Sequence, residues 1–236
     1  MKLVKIHHIS DSHSFHKGYQ LPSDIDMLIF SGDCSNHRDP GMNFFEVMEF
    51  FDWFKELDIK YKIFVAGNHD TSIEKRLFHP DLFKEAGIIY LEDESIEIEG
   101  LKIHGSPRTP QFGSWAFMHD RNKIHRYWDN IPEDADILIT HGPPKGVLDL
   151  SEDYNHTINF CGCSNLGKRV VNLPNLQLMC FGHIHNGHGI INTGVVIRNN
   201  IIYSNATSVE DGKFSKGIIY HGNTFYYNKE NKKITL

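Results

Sequence analysis

The sequence has no apolar run that approaches the roughly 20 residues a transmembrane helix needs. It also has no strong cluster of Lys and Arg, and its formal net charge is -6. The largest basic group, Lys229, Lys232 and Lys233, is typical of a solvated tail. Because a duplex or long single strand needs a basic surface, we expect no membrane and no long nucleic acid among the partners of this chain.

Cysteine is scarce, with four residues in the whole chain. Only Cys161 and Cys163 are close together, and Cys-Gly-Cys lacks the two-residue gap of a zinc knuckle. We therefore expect reduced thiols in a cytoplasmic protein. The first six residues predict a strand that leads directly to polar residues at Asp11, which leaves no room for a signal peptide.

The sequence also lacks low-complexity linkers and internal repeats. Its 236 residues are 40% hydrophobic and 23% charged, which is ordinary for a globular protein. This length can bury a substantial core, so we predict a single domain over residues 1–236. The oligomeric state is left open by the sequence.

Short apolar runs recur along the chain, and each is followed by Gly or polar residues. Continuous runs of this length favour strands that are buried on both faces. They cover residues 4–9, 27–30, 61–65, 137–140 and 176–181.

Helical patterns lie between these runs. Residues 43–57 carry an apolar stripe, 119–130 favour a polar helix, and 164–172 favour a helix with Ser164 as its N-cap. The segment 195–227 predicts hairpins, with turns at 199–200, 211–212 and 222–223. The pattern is that of an α/β fold, in which functional residues gather where strands end.

Each of the five apolar runs is followed closely by Asp, Asn or His. One such residue would mean little, since a single His near a strand is usually packed or solvent-facing. Five strand ends in register are more specific, because the carboxyl ends of neighbouring strands meet at one edge of a sheet. The residues are Asp11, His13, Asp33, Asn68, His69, His141, His183 and His185.

Imidazole, carboxylate and amide donors together suit divalent metals such as Mn, Fe or Zn. No cysteine lies in these motifs, which argues against a purely structural zinc site. Asp11 and His13 are two residues apart, as are His183 and His185, so an extended strand end directs both members of each pair the same way. The sequence therefore predicts a metal site.

In chain order these motifs are Asp11-x-His13, Gly32-Asp33, Gly67-Asn68-His69-Asp70, His141-Gly142-Pro143-Pro144 and Gly182-His183-x-His185. The set resembles the calcineurin-like metallophosphoesterase family. Further segments, Gly105-Ser106-Pro107, Gly162-Cys163 and Asn205-Ala206, are similar to the MPPED-type phosphodiesterase subfamily. The resemblance spans residues 11 to about 205. It implies a four-layer αββα sandwich with a dinuclear metal site at the C-terminal edge of the strands.

The resemblance also implies roles for the motif residues. A first cation would be held by Asp11, His13 and His185, a second by Asn68, His141 and His183, and Asp33 would bridge them. The implied cofactors are two divalent ions, Mn, Fe or Zn with Mn favoured, and a hydroxide between them would attack phosphorus. His69 would bind no metal and would assist the leaving group as the catalytic acid.

One position departs from the pattern of many family members. They have a carboxylate three residues after the bridging Asp, where this chain has Asn36. An amide can orient His69 but cannot stabilise its imidazolium by charge. Arg108 and Asn36 are the candidate substrate-binding residues, Arg108 as a ligand of the phosphate. Trp115 and Phe117 are candidates for stacking on a nucleobase.

The favoured function is hydrolysis of a small phosphodiester, such as a cyclic nucleotide. A phosphomonoesterase or protein phosphatase would share the metal motifs, but the arginines that such phosphatases carry beside the Gly-Asp and Gly-Asn-His blocks are missing here. A family nuclease would need extra domains and a basic surface. A non-catalytic metal-binding scaffold is the alternative outside enzymology, and the seven filled ligand positions argue against it.

Overall fold

The computed structural model describes residues 3–79, 81–212 and 214–236, so residues 1 and 2 of the predicted first strand lie outside the described residues. In chain order the strands are β1 (Leu3–Ile9), β2 (Met27–Phe30), β3 (Tyr61–Phe64), β4 (Ile88–Tyr90), β5 (Glu94–Ile98), β6 (Leu101–Ser106), β7 (Thr109–Pro110), β8 (Met118–His119), β9 (Ile137–Thr140), β10 (Leu150–Glu152), β11 (Ile158–Phe160), β12 (Leu178–Phe181), β13 (Gly194–Arg198), β14 (Ile201–Asn205), β15 (Asn223–Asn228) and β16 (Lys233–Thr235). The α-helices are α1 (Pro40–Glu56), α2 (Thr71–Glu74), α3 (Asp81–Glu85), α4 (His125–Trp128) and α5 (Ser164–Val170), with 3₁₀ turns at His16–Gly18 and Phe214–Lys216.

Most strands belong to two six-stranded sheets. The first has the order β16-β15-β1-β2-β3-β4, and β1 to β4 are parallel in it. The second has the order β13-β14-β12-β9-β6-β5, and its four inner strands are parallel. Small two-stranded ribbons, β7 with β8 and β10 with β11, lie outside these sheets.

Apolar side chains from the inner faces of both sheets form one core. It contains Ile6 and Ile29 from the first sheet and Ile103 and Ile139 from the second. A second core joins α1 to the outer face of the first sheet, and a third joins α4 and α5 to the outer face of the second. The order of layers is helix, sheet, sheet, helix, so the predicted αββα sandwich is confirmed.

The five apolar runs form β1, β2, β3, β9 and β12, as predicted, and the stripe at 43–57 belongs to α1. Asp39 caps α1 by accepting the amide hydrogen of Met42. The prediction of a polar helix over residues 119–130 is wrong outside α4. Before α4, the Asp120 side chain accepts the Asn122 amide hydrogen and forms a local turn that competes with helix formation.

Two further expectations need correction. The N-cap of α5 is Cys163, whose sulfur accepts the amide hydrogen of Leu166, so the helix starts with Ser164 already inside it and ends at 170. Residues 199–200 do turn between β13 and β14, but 211–212 join no paired strands and 222–223 lead into β15, which pairs with β1. No helix in the described parts of the chain is both long and apolar enough to cross a membrane.

Candidate metal centre

All eight candidate residues lie just beyond the carboxyl ends of parallel strands. Asp11 and His13 follow β1, Asp33 follows β2, and the Asn-His pair at 68–69 follows β3. The three histidines of the other sheet follow β9 and β12. Because the two sheets are stacked with these ends at the same edge, residues far apart in sequence meet there, as the sequence predicts.

Four of the seven candidate ligands have a left-handed backbone. The φ angles are 54° at Asp11, 43° at His13, 58° at Asp33 and 70° at His183. Asp tolerates this region, but it is less favourable for His13 and His183, whose backbone keeps such a conformation only where the surroundings impose it. Here the amide of Asp11 donates to the Gly32 carbonyl at 2.8 Å, and that of His13 donates to the Asp33 carbonyl at 3.1 Å.

The first group of donors contains Asp11, His13 and His185. Nε2 of His185 lies 3.4 Å from Asp11 Oδ1 and 3.4 Å from His13 Nε2. On the other side of its ring, Nδ1 of His185 is 2.9 Å from the backbone carbonyl of Val209. A carbonyl only accepts, so Nδ1 carries the proton and the lone pair of a neutral His185 points at the group.

The second group contains Asn68, His141 and His183. Nε2 of His141 lies 2.9 Å from Asn68 Oδ1 and 3.2 Å from His183 Nδ1. Its Nδ1 is 2.9 Å from the Ser31 carbonyl, which again places the proton on Nδ1 and turns the lone pair of Nε2 inward. Hydrogen bonds from the distal nitrogen of a histidine to a carbonyl are typical of metal-binding histidines.

Asp33 lies between the two groups. Its Oδ2 is 3.3 Å from His141 Nε2 and 3.9 Å from His13 Nε2. Its Oδ1 accepts the amide hydrogen of His69 at 2.7 Å. The carboxylate therefore faces donors from both sheets.

These contacts fit cations better than they fit hydrogen bonds. The inward lone pair of His141 faces two oxygens that have no hydrogen to give, Asn68 Oδ1 and Asp33 Oδ2. The lone pair of His185 likewise faces Asp11 Oδ1. Lone pairs that converge in a buried site repel one another, and a divalent ion between them removes that repulsion.

The pKa values of His141 and His185 are raised by the same neighbouring oxygens. Burial alone would lower the pKa of His141, but the carboxylates of Asp33 and Asp11 and the Ser31 carbonyl raise it to about 9. His185 behaves in the same way: burial opposes its charge, and Asp11 raises its pKa. Each of these histidines attracts a proton to the place where a cation would otherwise supply the positive charge.

Two glycines of the motifs leave room for the carboxylates. A Cβ on Gly182 would lie 1.9 Å from Asp11 Oδ2, and a Cβ on Gly67 would lie 2.2 Å from Asp33 Oδ1. Real Cβ atoms do not approach so closely, so any side chain would displace the carboxylate. Glycine at these positions is therefore part of the site.

A buried network that the sequence did not predict holds the loop after β3. The Asp70 carboxylate accepts amide hydrogens from Asp33, Gly67 and Ser35, so it faces away from the ring of His69. Asn43 of α1 donates to the His69 carbonyl at 2.8 Å. The only sequence signal for Asn43 is its polar side chain on the buried face of an apolar helix.

Two aromatic rings of the loop between β7 and β8 flank the donors. Trp115 lies 4.4 Å from His69, between ring centroids, and Phe112 lies 5.3 Å from His183. Phe117, the other stacking candidate from the sequence, is 1% exposed and packs in the core beneath α1. It is unavailable for stacking on a substrate.

The two candidate substrate-binding residues have other contacts. Arg108 is largely buried and forms ion pairs with Glu92 at 2.9 Å and Asp93 at 2.7 Å, so its guanidinium is already paired with two carboxylates. The side chain of Asn36 is exposed, and the group near His69 is its backbone carbonyl, 3.3 Å from Nδ1. The expected side-chain amide contact from Asn36 is thus replaced by a main-chain one.

The fold and this edge of converging donors define the class of protein. The chain belongs to the calcineurin-like phosphoesterase family, whose model matches residues 4–187, and the resemblance inferred from the motifs is confirmed. The class is therefore that of the calcineurin-like phosphoesterases.

Several known proteins are similar to this chain. The chain is 34% identical over 210 residues to metallophosphoesterase domain-containing protein 1 of Homo sapiens and, with the same values, to that of Mus musculus. The matches cover 79% of this chain and 62% of each relative. A solved NAD nucleotidase from Haemophilus influenzae superposes on 100% of this chain and 49% of its own, at 12% identity and a TM-score of 0.46, a distant likeness of fold.

Proposed function

We propose that the protein hydrolyses small phosphodiesters, cyclic nucleotides among them, with the help of two divalent cations. The observation that carries this proposal is the position of Asp33. Its Oδ2 lies 3.9 Å from Nε2 of His13 in the first donor group and 3.3 Å from Nε2 of His141 in the second. One carboxylate shared by two donor groups is what a pair of neighbouring cations requires.

The first cation would bind Asp11, His13 and His185, the second would bind Asn68, His141 and His183, and Asp33 would contact both. When bound, such ions lower the pKa of a water molecule and neutralise phosphoryl oxygens. The mixed nitrogen and oxygen donors suit Mn, Fe or Zn, and of these we propose Mn, as the family resemblance implies.

Hydrolysis also requires a proton for the leaving oxygen, and we assign its delivery to His69. Its amide is fixed by Asp33, and its ring lies between His13, at 4.7 Å, and Trp115, at 4.4 Å. The Asn36 carbonyl near Nδ1 favours a proton on that nitrogen, so a doubly protonated ring has its Nε2 proton to give. Many family members have a carboxylate at the position of Asn36, where this chain offers a backbone carbonyl.

The size of the substrate follows from the charge of the chain. The net charge is -6, and Arg108, the phosphate ligand predicted from the sequence, is neutralised by Glu92 and Asp93. A long polyanion would gain little from such a surface. A small ester with one phosphate is therefore favoured. The cytoplasmic location and the single domain stay predictions from the sequence.

A hydrolysis screen tests the proposal. The protein is loaded in turn with Mn, Fe and Zn and assayed on bis-nitrophenyl phosphate, 2′,3′- and 3′,5′-cyclic nucleotides, nitrophenyl phosphate and oligonucleotides. We expect turnover of the small diesters and about two metals per chain. Preference for the monoester would favour a phosphatase, degradation of oligonucleotides a nuclease, and metal binding without turnover a scaffold.

A further inference from the structure

A cavity of about 290 Å³ opens directly beside the metal centre. One of its walls is His183, a candidate ligand, so an occupant of the cavity would adjoin a phosphate held at the centre. Its other walls come from β10 and from the segments after β7, β8, β9, β11 and β12, and they include Phe112, Arg121, Pro143, Ser151, Cys161 and Ile184. A larger cavity of about 760 Å³ lies at the opposite ends of the strands and contains none of the candidate ligands.

The volume and the aromatic wall of the smaller cavity favour a single ring system as its occupant. Sites for drug-sized ligands are typically about 300–1,000 Å³, so this cavity is at the lower limit. Its wall next to the metal centre is the ring of Phe112, which lies 5.3 Å from His183 and is 55% exposed. An exposed aromatic ring in a cavity favours a planar or apolar partner.

Arg121 gives the cavity a cation that is not neutralised. Its Nε donates to the Gln111 carbonyl at 3.3 Å, which leaves the two terminal nitrogens for another acceptor. Within residues 3–79, 81–212 and 214–236, no carboxylate lies within ion-pair distance of Arg121, whereas Arg108 has two. The bond to Gln111 also ties Arg121 to the loop that carries Phe112.

We propose that this cavity binds the organic substituent of the phosphodiester, a planar ring that stacks on Phe112 and accepts hydrogen bonds from Arg121 through a ring oxygen or nitrogen. The inference rests on the proposed hydrolysis and names the part of the site that selects the substrate. It transfers the substrate-binding role predicted for Arg108 to Arg121.

The test uses diesters with one constant leaving group. Methyl nitrophenyl phosphate and the nitrophenyl ester of thymidine 5′-phosphate are compared by kcat/KM in the Mn-loaded enzyme. We expect the thymidine ester to be favoured at least about fivefold, the lower end of what stacking on an aromatic side chain contributes. In Phe112→Ala and Arg121→Gln this ratio should fall towards one. The exposed controls Phe45→Ala and Arg126→Gln should keep it.

A second measurement needs no turnover. Cys161 lines the cavity and is partly exposed, whereas the other three cysteines are buried. Burial and the nearby Asp149 carboxylate raise the pKa of its thiol, so alkylation with iodoacetamide is run at alkaline pH and followed by peptide mass spectrometry. Thymidine 5′-phosphate should slow alkylation of Cys161 in wild type, and less so in Arg121→Gln.

The two measurements separate the two proposals. Protection of Cys161 without hydrolysis of either diester would keep the binding site and overturn the proposed function. Hydrolysis of both diesters with an equal ratio in wild type and both cavity variants, and no protection of Cys161, would overturn the binding site and keep the function.

Discussion

The ring of Trp115 lies 4.4 Å from that of His69 and is tilted by 32° from its plane. Trp115 also carries the guanidinium of Arg38 on its ring, 4.5 Å from the centroid. His69 is thereby confined between an aromatic ring and His13, with its amide held by Asp33. A side chain held in this way has a fixed direction, which a proton donor to a leaving oxygen needs.

The first prediction concerns His69→Ala. Nitrophenolate leaves without a proton, whereas a ribose alkoxide does not, so the loss should be larger for a cyclic nucleotide than for bis-nitrophenyl phosphate. The difference should approach the lower end of the roughly 10²–10⁴-fold range of general acid catalysis, because a carbonyl replaces the usual carboxylate beside Nδ1.

Steady-state kcat on both substrates measures this difference, and metal content should stay near that of wild type. His125→Gln, an exposed histidine of α4, is the matched control. Equal losses on the two substrates would contradict the assignment of His69 as the acid.

The second prediction concerns the shared carboxylate. Asp33→Asn keeps the shape of the side chain and removes the charge that faces both donor groups. Two cations would then lie close together with less negative charge between them, and their repulsion is large in a buried site. We expect loss of metal and of activity together, by more than the roughly 10–100-fold typical of an outer-shell substitution.

Metal content by elemental analysis and turnover with added Mn measure this effect. The exposed Asp129→Asn, which carries the same change of charge, should retain both. Turnover close to wild type in Asp33→Asn would refute a two-cation centre.

The third prediction concerns Gly182→Ala. The added Cβ would lie 1.9 Å from Asp11 Oδ2, and the carboxylate must move away. We expect metal affinity to fall at least roughly 10–100-fold and stability to fall by about 1–3 kcal/mol, the usual cost of overpacking.

Calorimetric metal titration and thermal unfolding without metal measure the two effects. Gly167→Ala in α5 is the control, because its nearest neighbour would be 3.7 Å away and Ala is the better helix former. If Gly182→Ala binds metal as wild type does, Asp11 is not a ligand.

Much of the site follows from sequence because strand ends carry a local signal. A buried run followed by Asp11 or His141 needs no knowledge of the partner strand to be placed at the edge. The buried face of α1 can be predicted from local sequence as well, because the helical period of its apolar residues is enough to identify that face.

Other features depend on contacts between residues that are far apart in sequence, and such contacts leave no signal in the local sequence. The carbonyl of Val209 orients His185, but any residue has a carbonyl. The ion pairs of Arg108 depend on carboxylates fifteen and sixteen residues away, which the sequence around Arg108 does not indicate. Asn43 reaches the His69 carbonyl only because α1 packs beside the loop after β3.

The fourth prediction concerns His8, which lies between the sheets and is not one of the candidate ligands. The histidine is completely buried, with Nδ1 2.7 Å from Ser204 Oγ and Nε2 2.8 Å from Ser31 Oγ. Burial, with a smaller contribution from the neighbouring His7, lowers its pKa from 6.5 to about 3. Both hydroxyls can complement a neutral ring, so the folded state holds His8 uncharged.

Between pH 6.5 and about 3, the unfolded chain binds a proton at His8 that the folded chain does not. Stability therefore rises with pH through this window and is lost as the pH falls, by about 2 kcal/mol from this one group between pH 7 and 5. His8→Gln should be less stable at pH 7, because it changes a buried network, yet its stability should fall less between pH 7 and 5. Urea unfolding of metal-free protein at both pH values measures the difference, with the exposed His125→Gln as control. A pH dependence in His8→Gln as steep as that of wild type would show that His8 is protonated in the folded state, or that it titrates alike in both states.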